Sequence, residues 1–377
     1  MSQQILFFSS YFLPYLSGLT TYSHQVLTGL AENHSVTVLT FPHNKDLPTQ
    51  EKMDGLNIRR LPYLFRLSKG FVSIRSWWIF VHFARQSQVI ILNLPNAEGW
   101  PLAFLGRLMG KKVISIFHCQ VQLGRSWHQK LLGLGINLSV AIQLWLSQVV
   151  ISNTQDYAES IFLGRLFGGK FNYCLPPVKP KPVSPRYLQK LKRKKGSTVW
   201  IGFAGRIARE KGLEVLIESL VQLKQLKPEK KYCLVMAGPT GKEVVGEANY
   251  FSTIKSLLAK NQIDHLFFDR LSDQELGAFY QAIDVLVLPS TNQTEAFGLV
   301  QVEAMLAGKP VIASNLPGVR VATELTGLGC VFEPGNSFQL AELLVNLEQF
   351  KTDCKPQLAK QLFDPQNSIE FYERLIG

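Results

Sequence analysis

The amino-acid sequence predicts an α/β protein built from two Rossmann-like, doubly wound domains that face a deep cleft. Three observations predict it. Strand-like and helix-like stretches alternate along residues 1–178, the proline-rich run "LPPVKPKPVSP" (175–185) interrupts them, and the same alternation then restarts. A chain of 377 residues is also long enough for two domains that each bury a core.

The elements follow in order. "QILFFSS" (4–10) is an apolar run of strand length, and "TTYSHQVLTGLAEN" (20–33) repeats its apolar residues at helical spacing. "HSVTVLT" (34–40) alternates as a strand, while "SQVIILN" (87–93) and "KKVISIFH" (111–118) read as buried strands. Beyond the prolines, "TVWIGFAG" (198–205), "YCLVMAG" (232–238) and "IDVLVLPS" (283–290) are strands, and "GLEVLIESLVQLKQL" (212–226) is a helix. Such alternation implies right-handed crossovers and a parallel sheet, with ligands received outside the carboxyl ends of the strands. The expected layout is a first domain over 1–178, a basic proline-containing linker over 179–196 and a second domain over 197–360. A C-terminal helix over 361–377 would pack back on the first domain.

Composition removes several classes. Hydrophobic residues make up 46% and charged residues 18%, a globular balance without the signature of disorder. Five cysteines, odd in number and never spaced as CxxC, argue for a reducing compartment and against a disulfide frame or a zinc site. The opening "MSQQILFFSS" has no cationic region before its apolar run and reads as a strand rather than a signal peptide. The window "LLGLGINLSVAIQLWLSQVV" (131–150) is broken by Gly, Asn, Ser and Gln, short of the roughly 20 clean apolar residues of a spanning helix.

Net charge is +12, and it is unevenly placed. Residues 1–178 hold 15 Lys and Arg against 7 Asp and Glu, and residues 179–195 hold 8 basic residues and no acid. Residues 196–377 hold 17 basic and 21 acidic residues. The positive half suits an anionic surface, while the second half must recruit any anionic ligand with local groups.

Those local groups can be named. Strand 198–205 ends in Gly205-Arg206, and Lys211-Gly212 follows at the start of a helix. Two cations beside a helix N-terminus form a small phosphate site, although "GRIAREKG" also reads as a solvated turn. "VMAGPTGK" (235–242) is a second glycine-rich turn, around Gly238; it matches neither a Walker A loop nor a Rossmann fingerprint. In "TNQTEAFGLVQVEAMLAGKP" (291–310) a helix should open near Phe297-Gly298. Glu295 then precedes the helix, and Glu303 lies eight residues on, roughly 80° further round. The pair cannot grip one metal ion but can hold two parts of an elongated, hydroxyl-rich ligand. Glu303 sits among Val302, Ala304, Met305 and Leu306 and needs a partner.

"GFAGRIAREKG", "VMAGP" and "EAFGLVQVEAMLAGKPVIAS", in this order and spacing, resemble the donor half of glycosyltransferase family 4, the group 1 glycosyltransferases of GT-B fold. The resemblance implies that Arg206 and Lys211 bind a donor diphosphate, that Glu295 holds hydroxyls of the transferred sugar and that Glu303 holds the nucleotide ribose. Gly18, Gly205, Gly238, Arg270, Leu271, Phe297, Gly298 and Leu299 complete the implied donor site. It further implies retention of anomeric configuration, a UDP- or GDP-sugar donor and no metal or other cofactor; no Asp-x-Asp occurs in the chain. The sequence departs from the family at "FFDRLSD" (267–273), where Asp269 stands in place of a frequent glycine, and at "PYLSGLTTY" (14–22), which offers only Gly18 of a usual glycine pair.

His118 ends the strand "KKVISIFH", and the resemblance places it near the transferred sugar, in a catalytic group with Arg206, Lys211 and Glu295. The implied mechanism is same-face attack by an acceptor hydroxyl as the diphosphate leaves. The stretch 59–86 interleaves Arg59, Arg60, Arg66 and Lys69 with aromatics that include Trp77 and Trp78. It reads either as a surface for an acceptor or an anionic membrane, or as a helix with its aromatics in the core. The expectation is a cytoplasmic enzyme, peripheral on the inner face of the plasma membrane, that glycosylates a lipid-linked or polysaccharide-precursor hydroxyl of the cell envelope. A nucleotide-sugar epimerase of the same fold and a non-catalytic nucleotide-sugar-binding protein are the alternatives. Nucleic acid is not expected as a partner, since no recognised module accompanies the charge.

Overall fold

The computed structural model describes residues 2–15, 17–67, 70–122, 127–240, 249–351 and 356–377. The chain divides into two compact units, Met1–Pro177 with Asp364–Gly377, and Val178–Phe363.

In the first unit the strands are β1 (Gln4–Phe8), β2 (Ser35–Thr40), β3 (Gln50–Met53), β4 (Leu56–Arg60), β5 (Phe65–Leu67), β6 (Gly70–Val72), β7 (Val89–Leu94), β8 (Lys112–Phe117), β9 (Val149–Ser152) and β10 (Phe171–Tyr173). The helices between them are α1 (Gly18–Leu30), α2 (Ser76–Gln86), α3 (Trp100–Leu108), α4 (Trp127–Leu146), α5 (Gln155–Ser160) and α6 (Phe162–Leu166). Among the described residues the main sheet runs β10-β9-β8-β7-β1-β2-β4-β3, parallel except where β3 meets β4. The central strands are continuous apolar runs because helices cover both faces; all of Val89–Leu94 is buried. α1 starts where it does because Ser17 and Thr20 form a reciprocal cap, the Thr20 N–H donating to Ser17 Oγ at 3.2 Å and the Ser17 N–H to Thr20 Oγ1 at 2.8 Å.

The second unit holds α7 (Pro185–Lys195), β11 (Val199–Ala204), α8 (Leu213–Leu226), β12 (Tyr232–Ala237), α9 (Tyr250–Lys260), β13 (His265–Phe268), α10 (Asp273–Ala282), β14 (Val285–Leu288) and α11 (Leu299–Leu306). It continues through β15 (Val311–Ser314), α12 (Arg320–Thr326), β16 (Gly329–Phe332), α13 (Ser337–Val345), α14 (Leu347–Lys351) and α15 (Gln357–Leu362). Its sheet is wholly parallel, ordered β13-β12-β11-β14-β15-β16. Ala204 lies opposite Ala237, and Ala237 opposite Phe268, so the carboxyl ends of β11, β12 and β13 are level. The last helix, α16 (Pro365–Ile376), groups with the first unit and seats Tyr372 and Ile376 in its core. There the Tyr372 and Tyr22 hydroxyls meet at 2.9 Å.

Two stretches differ from their sequence reading. Residues 179–196, expected as a linker, contain α7, which belongs to the second unit. Ser184 caps it, Leu191 gives it a buried side, and Lys195 Nζ holds Asp284 at 2.6 Å and the Ala282 carbonyl at 2.8 Å. Residues 59–86 are neither one helix nor one surface. They comprise the end of β4, the β5–β6 hairpin and α2. Arg60 is buried, pairs with Glu51 and donates to the Pro48 and Leu13 carbonyls at 2.8 and 3.1 Å, so it serves the fold and cannot face a membrane or an acceptor. Phe71 and Phe80 are core as well. Arg59 is half-buried; Arg66, Trp77 and Trp78 are exposed, and Lys69 lies outside the described residues.

Candidate functional site

Four loops of the second unit leave neighbouring strands β13, β12, β11 and β14 at the same carboxyl edge. They carry Arg270 and Leu271, Gly238, Gly205 and Arg206, and Glu295 through Leu299, as the sequence placed them. The segment after Gly238 runs into residues 241–248, outside the described residues.

Glycine is required at the closest approaches. Gly238 has φ +142°, and a Cβ there would stand 2.2 Å from the Gly205 carbonyl oxygen. Gly212 caps α8 at φ +64°, and a Cβ on it would stand 2.1 Å from the Pro289 carbonyl oxygen. That contact presses the Arg206–Lys211 loop against the end of β14, and the Thr291 N–H seals it by donating to the Glu210 carbonyl at 3.0 Å.

The consequence is an ion pair. Lys211 Nζ contacts Glu295 directly, and the Ser290 hydroxyl donates to the same carboxylate at 3.1 Å. Arg206 pairs with Glu210 at 3.0 Å, with its side chain more open to solvent than that of Lys211. α11 begins at Leu299 behind Gly298, and Gln301 braces the turn by donating to the Phe297 and Val319 carbonyls. The Phe297 ring is buried against Phe363 at 5.9 Å, so Phe297 offers a ligand only main chain. The Gln301 N–H already donates to the Gly298 carbonyl at 3.1 Å, while the N–H groups ahead of it lie in the first turn, where a helix offers no carbonyl acceptor, which suits an anion.

The partner that Glu303 requires is double. The Tyr280 hydroxyl donates to Glu303 at 2.6 Å, and Lys181 Nζ lies 3.6 Å away while also holding Asp273 at 2.8 Å. Burial pushes the Glu303 carboxyl above its ordinary pKa against the pull of Lys181. Burial alone would lower the Lys181 amine, but Glu303 and Asp273 together raise it. Neither partner was singled out from the sequence. Lys181 sits in a basic proline run, and Tyr280 lies on a helix ahead of β14; only the fold brings them to Glu303.

In the first unit, His118 and Gly18 lie at the carboxyl edge of β8 and at the start of α1. The His118 ring packs edge-on against Tyr22 of α1 at 5.0 Å. Its Nε2 meets Asn93 Oδ1 at 2.7 Å, and Asn93 Nδ2 donates to Ser9 Oγ at 3.1 Å, which orients the amide. Nε2 therefore carries the proton and Nδ1 keeps its lone pair. Burial lowers the His118 pKa to about 4. From about pH 6.5 down to 4 the unfolded chain binds a proton here that the folded chain refuses, so stability falls as pH falls through that window. The contribution is about 3 kcal/mol at 1.36 kcal/mol per unit. Urea unfolding across this range should show the loss in the native chain and a smaller one in His118→Gln; identical profiles would refute the assignment.

Residues 186–356 match the family described as Glycosyl transferases group 1. The D-inositol 3-phosphate glycosyltransferase of Corynebacterium diphtheriae is 31% identical over 148 residues, covering 39% of this chain and 34% of that protein. Its counterpart in Pseudarthrobacter chlorophenolicus is 32% identical over 149 residues, with 38% and 34% covered. The chain thus spans about a third of the length of these curated relatives. Among solved structures, Anabaena HepE in complex with UDP and glucose matches over 99% of both chains with a TM-score of 0.75 and 18% identity. Sucrose-phosphate synthase from Thermosynechococcus elongatus matches over 99% of this chain and 98% of that one, at a TM-score of 0.77 and 18% identity. That likeness establishes the fold, two parallel α/β domains as in GT-B glycosyltransferases.

Proposed function

We infer, from a chain whose residues 186–356 match the group 1 glycosyltransferases and whose fold is that of GT-B enzymes, that it moves a sugar from a nucleoside-diphosphate sugar to an acceptor hydroxyl with retention of configuration. The observation that carries the reading is the row of polar groups on one sheet edge: Arg206, Lys211, Glu295, the opening of α11 and the half-buried Glu303. Cations and N–H groups answer a diphosphate. Glu295 accepts from sugar hydroxyls, and Glu303 from the ribose diol. As the leaving group departs, Lys211 and Arg206 meet the charge that develops on it. His118 is the group we assign to the first unit's part in the reaction, as a neutral hydrogen-bonding imidazole.

Uracil is the base we favour, because HepE was solved with UDP and with UDP-glucose. For the acceptor we favour a lipid-linked or polysaccharide-precursor hydroxyl, supported by the exposed Trp77 and Trp78 and by the excess of Lys and Arg over acids in residues 1–178. A thermal-shift screen of UDP- and GDP-sugars, followed by hydrolysis and transfer assays, tests the reading. A chain that no nucleotide sugar stabilises is not such an enzyme. Release of an altered sugar nucleotide without an acceptor would favour the epimerase, and binding without turnover the non-catalytic module.

Because Lys211 and Arg206 supply the counter-charge, activity should survive EDTA. Complete loss that Mg²⁺ or Mn²⁺ restores would overturn the metal-free assignment.

A further inference from the structure

The first unit leaves an apolar face uncovered. α4 exposes Trp127, Leu131, Leu134, Leu138, Ile142 and Trp145. Their spacing of three and four residues sets them in one narrow stripe, roughly 27 Å long at 1.5 Å per residue. Val140, Gln143, Leu144 and Leu146 of the same helix are buried, so the stripe is the solvent side of a helix already seated on its sheet. α3 packs beside both α2 and α4 and adds exposed Phe104 and Leu108. Trp77 of α2 meets Trp100 of α3 edge-on at 5.4 Å. Five of the six tryptophans of the chain lie on these three helices. All five are exposed, Trp78 by 81% and Trp127 and Trp145 by 68% each.

Charge identifies what the face is shaped for. Residues 74–150 contain seven Lys and Arg and one acid, Glu98. That acid is engaged inside the fold, by Ser10 Oγ at 2.7 Å and the Phe71 N–H at 2.6 Å. Arg85 and Arg107 lie in the last turns of α2 and α3, and Arg75 stands at the start of α2. Lys111 Nζ donates to the Arg85 carbonyl at the end of α2 at 3.2 Å. Lys170 Nζ donates to the Leu144 and Trp145 carbonyls at the end of α4 at 3.2 and 2.5 Å, with Arg107 near enough to add to the burial that holds its pKa down. Lys130 stands exposed in the first turn of α4.

We propose that the α2–α3–α4 face is a docking surface for a bilayer bearing anionic headgroups. Its tryptophans and leucines enter the boundary between headgroups and acyl chains, and its basic border meets the phosphates. Indole is suited to that boundary, apolar in body with one N–H to satisfy. A second copy of this chain fits poorly, since an isologous contact would set the acid-free basic border against itself. Among the described residues no helix is long and apolar enough to cross a membrane, and this mode needs none. The inference gives the lipid-linked acceptor reading its surface, yet it is tested without any transfer reaction.

The full chain is mixed with vesicles of phosphatidylcholine alone, or of phosphatidylcholine with phosphatidylglycerol, and sedimented while tryptophan emission is recorded. Co-sedimentation with the anionic vesicles and a blue shift are expected, both weakened in about 1 M salt, where the Debye length is about 3 Å. Leu131→Glu with Leu138→Glu should reduce vesicle binding at least about tenfold, and Arg107→Glu with Lys130→Glu should remove the preference for anionic lipid. All four positions are exposed, and far-UV circular dichroism with a cooperative thermal transition like that of the native chain serves as the control for folding. Folded protein that stays in the supernatant with anionic vesicles at low salt overturns the proposal. So does vesicle binding that ignores the Leu131/Leu138 pair, or a dimer in light scattering that this pair abolishes while lipid binding is absent. Failure of the sugar-transfer reading would appear instead as loss of nucleotide-sugar binding with vesicle binding intact.

Discussion

Replacing Glu303 with alanine is expected to weaken UDP binding by at least about tenfold. The ribose diol would lose one or two charge-assisted hydrogen bonds, each on the order of 1.5–3 kcal/mol. The effect should be large because the site is built around this one carboxylate. Tyr280 reaches it from α10 and Lys181 from the stretch before α7, and it sits where burial already opposes its charge. Truncation also strands the buried Tyr280 hydroxyl, so some stability will be lost. Glu303→Gln separates the two losses, since the amide oxygen still accepts from Tyr280 while the charge and one acceptor are gone. Calorimetric titration with UDP, and with a 2′,3′-dideoxy analogue as the control that lacks the diol, gives the readout. The native chain should prefer UDP strongly and the Gln variant only weakly. Equal affinity of all variants for UDP would remove Glu303 from the site.

What could be read from sequence and what could not divides along physical lines. Strands such as β7 and β11 were legible because a strand covered on both faces is apolar along nearly its whole length, and a short apolar run bounded by turn residues has few other uses. β3, a half-exposed edge strand, and its neighbour β4 were not, since both mix polar and apolar residues as loops do. α7 reads as a linker in sequence because a helix that buries little beyond Leu191 shows no apolar stripe. At the site, Lys211, Glu295 and Glu303 were legible through spacing, but Lys181 and Asn93 act through contacts that only the folded sheet creates. α4 teaches the same lesson from the other side. An average of hydropathy over residues 131–150 asks only whether a helix can span a bilayer. The phase of Trp127, Leu131, Leu134, Leu138, Ile142 and Trp145 asks a different question, and it needed the buried side of α4 to be known before it could be answered.

Lys211→Ala should lower kcat for transfer by roughly 10²–10³-fold while leaving the chain folded, the loss typical when one preorganised partner of a developing negative charge is removed. Lys211 is placed for that role by backbone: Gly212 pressed on Pro289 and the Thr291–Glu210 hydrogen bond hold its loop against the end of β14. Without ligand its ammonium is neutralised by Glu295, so neither charge is left alone in a partly buried setting. A donor that brings phosphates to Lys211 and hydroxyls to Glu295 replaces that pair with two better-matched contacts, and the cation gains most when the diphosphate takes up the bonding electrons. The interaction is thus stronger in the transition state than before it, and kcat should fall more than KM rises. Lys211→Arg keeps the charge but presents a planar fork instead of a compact ammonium, so it should recover only part of the rate. Arg206→Ala should cost less, since Arg206 is more solvent-exposed and paired with Glu210, and the double variant should lose less than the sum of the two because both cations serve one leaving group. Steady-state kinetics on the four variants decide the matter. A Lys211→Ala enzyme that keeps native kcat would require the leaving-group charge to be met elsewhere.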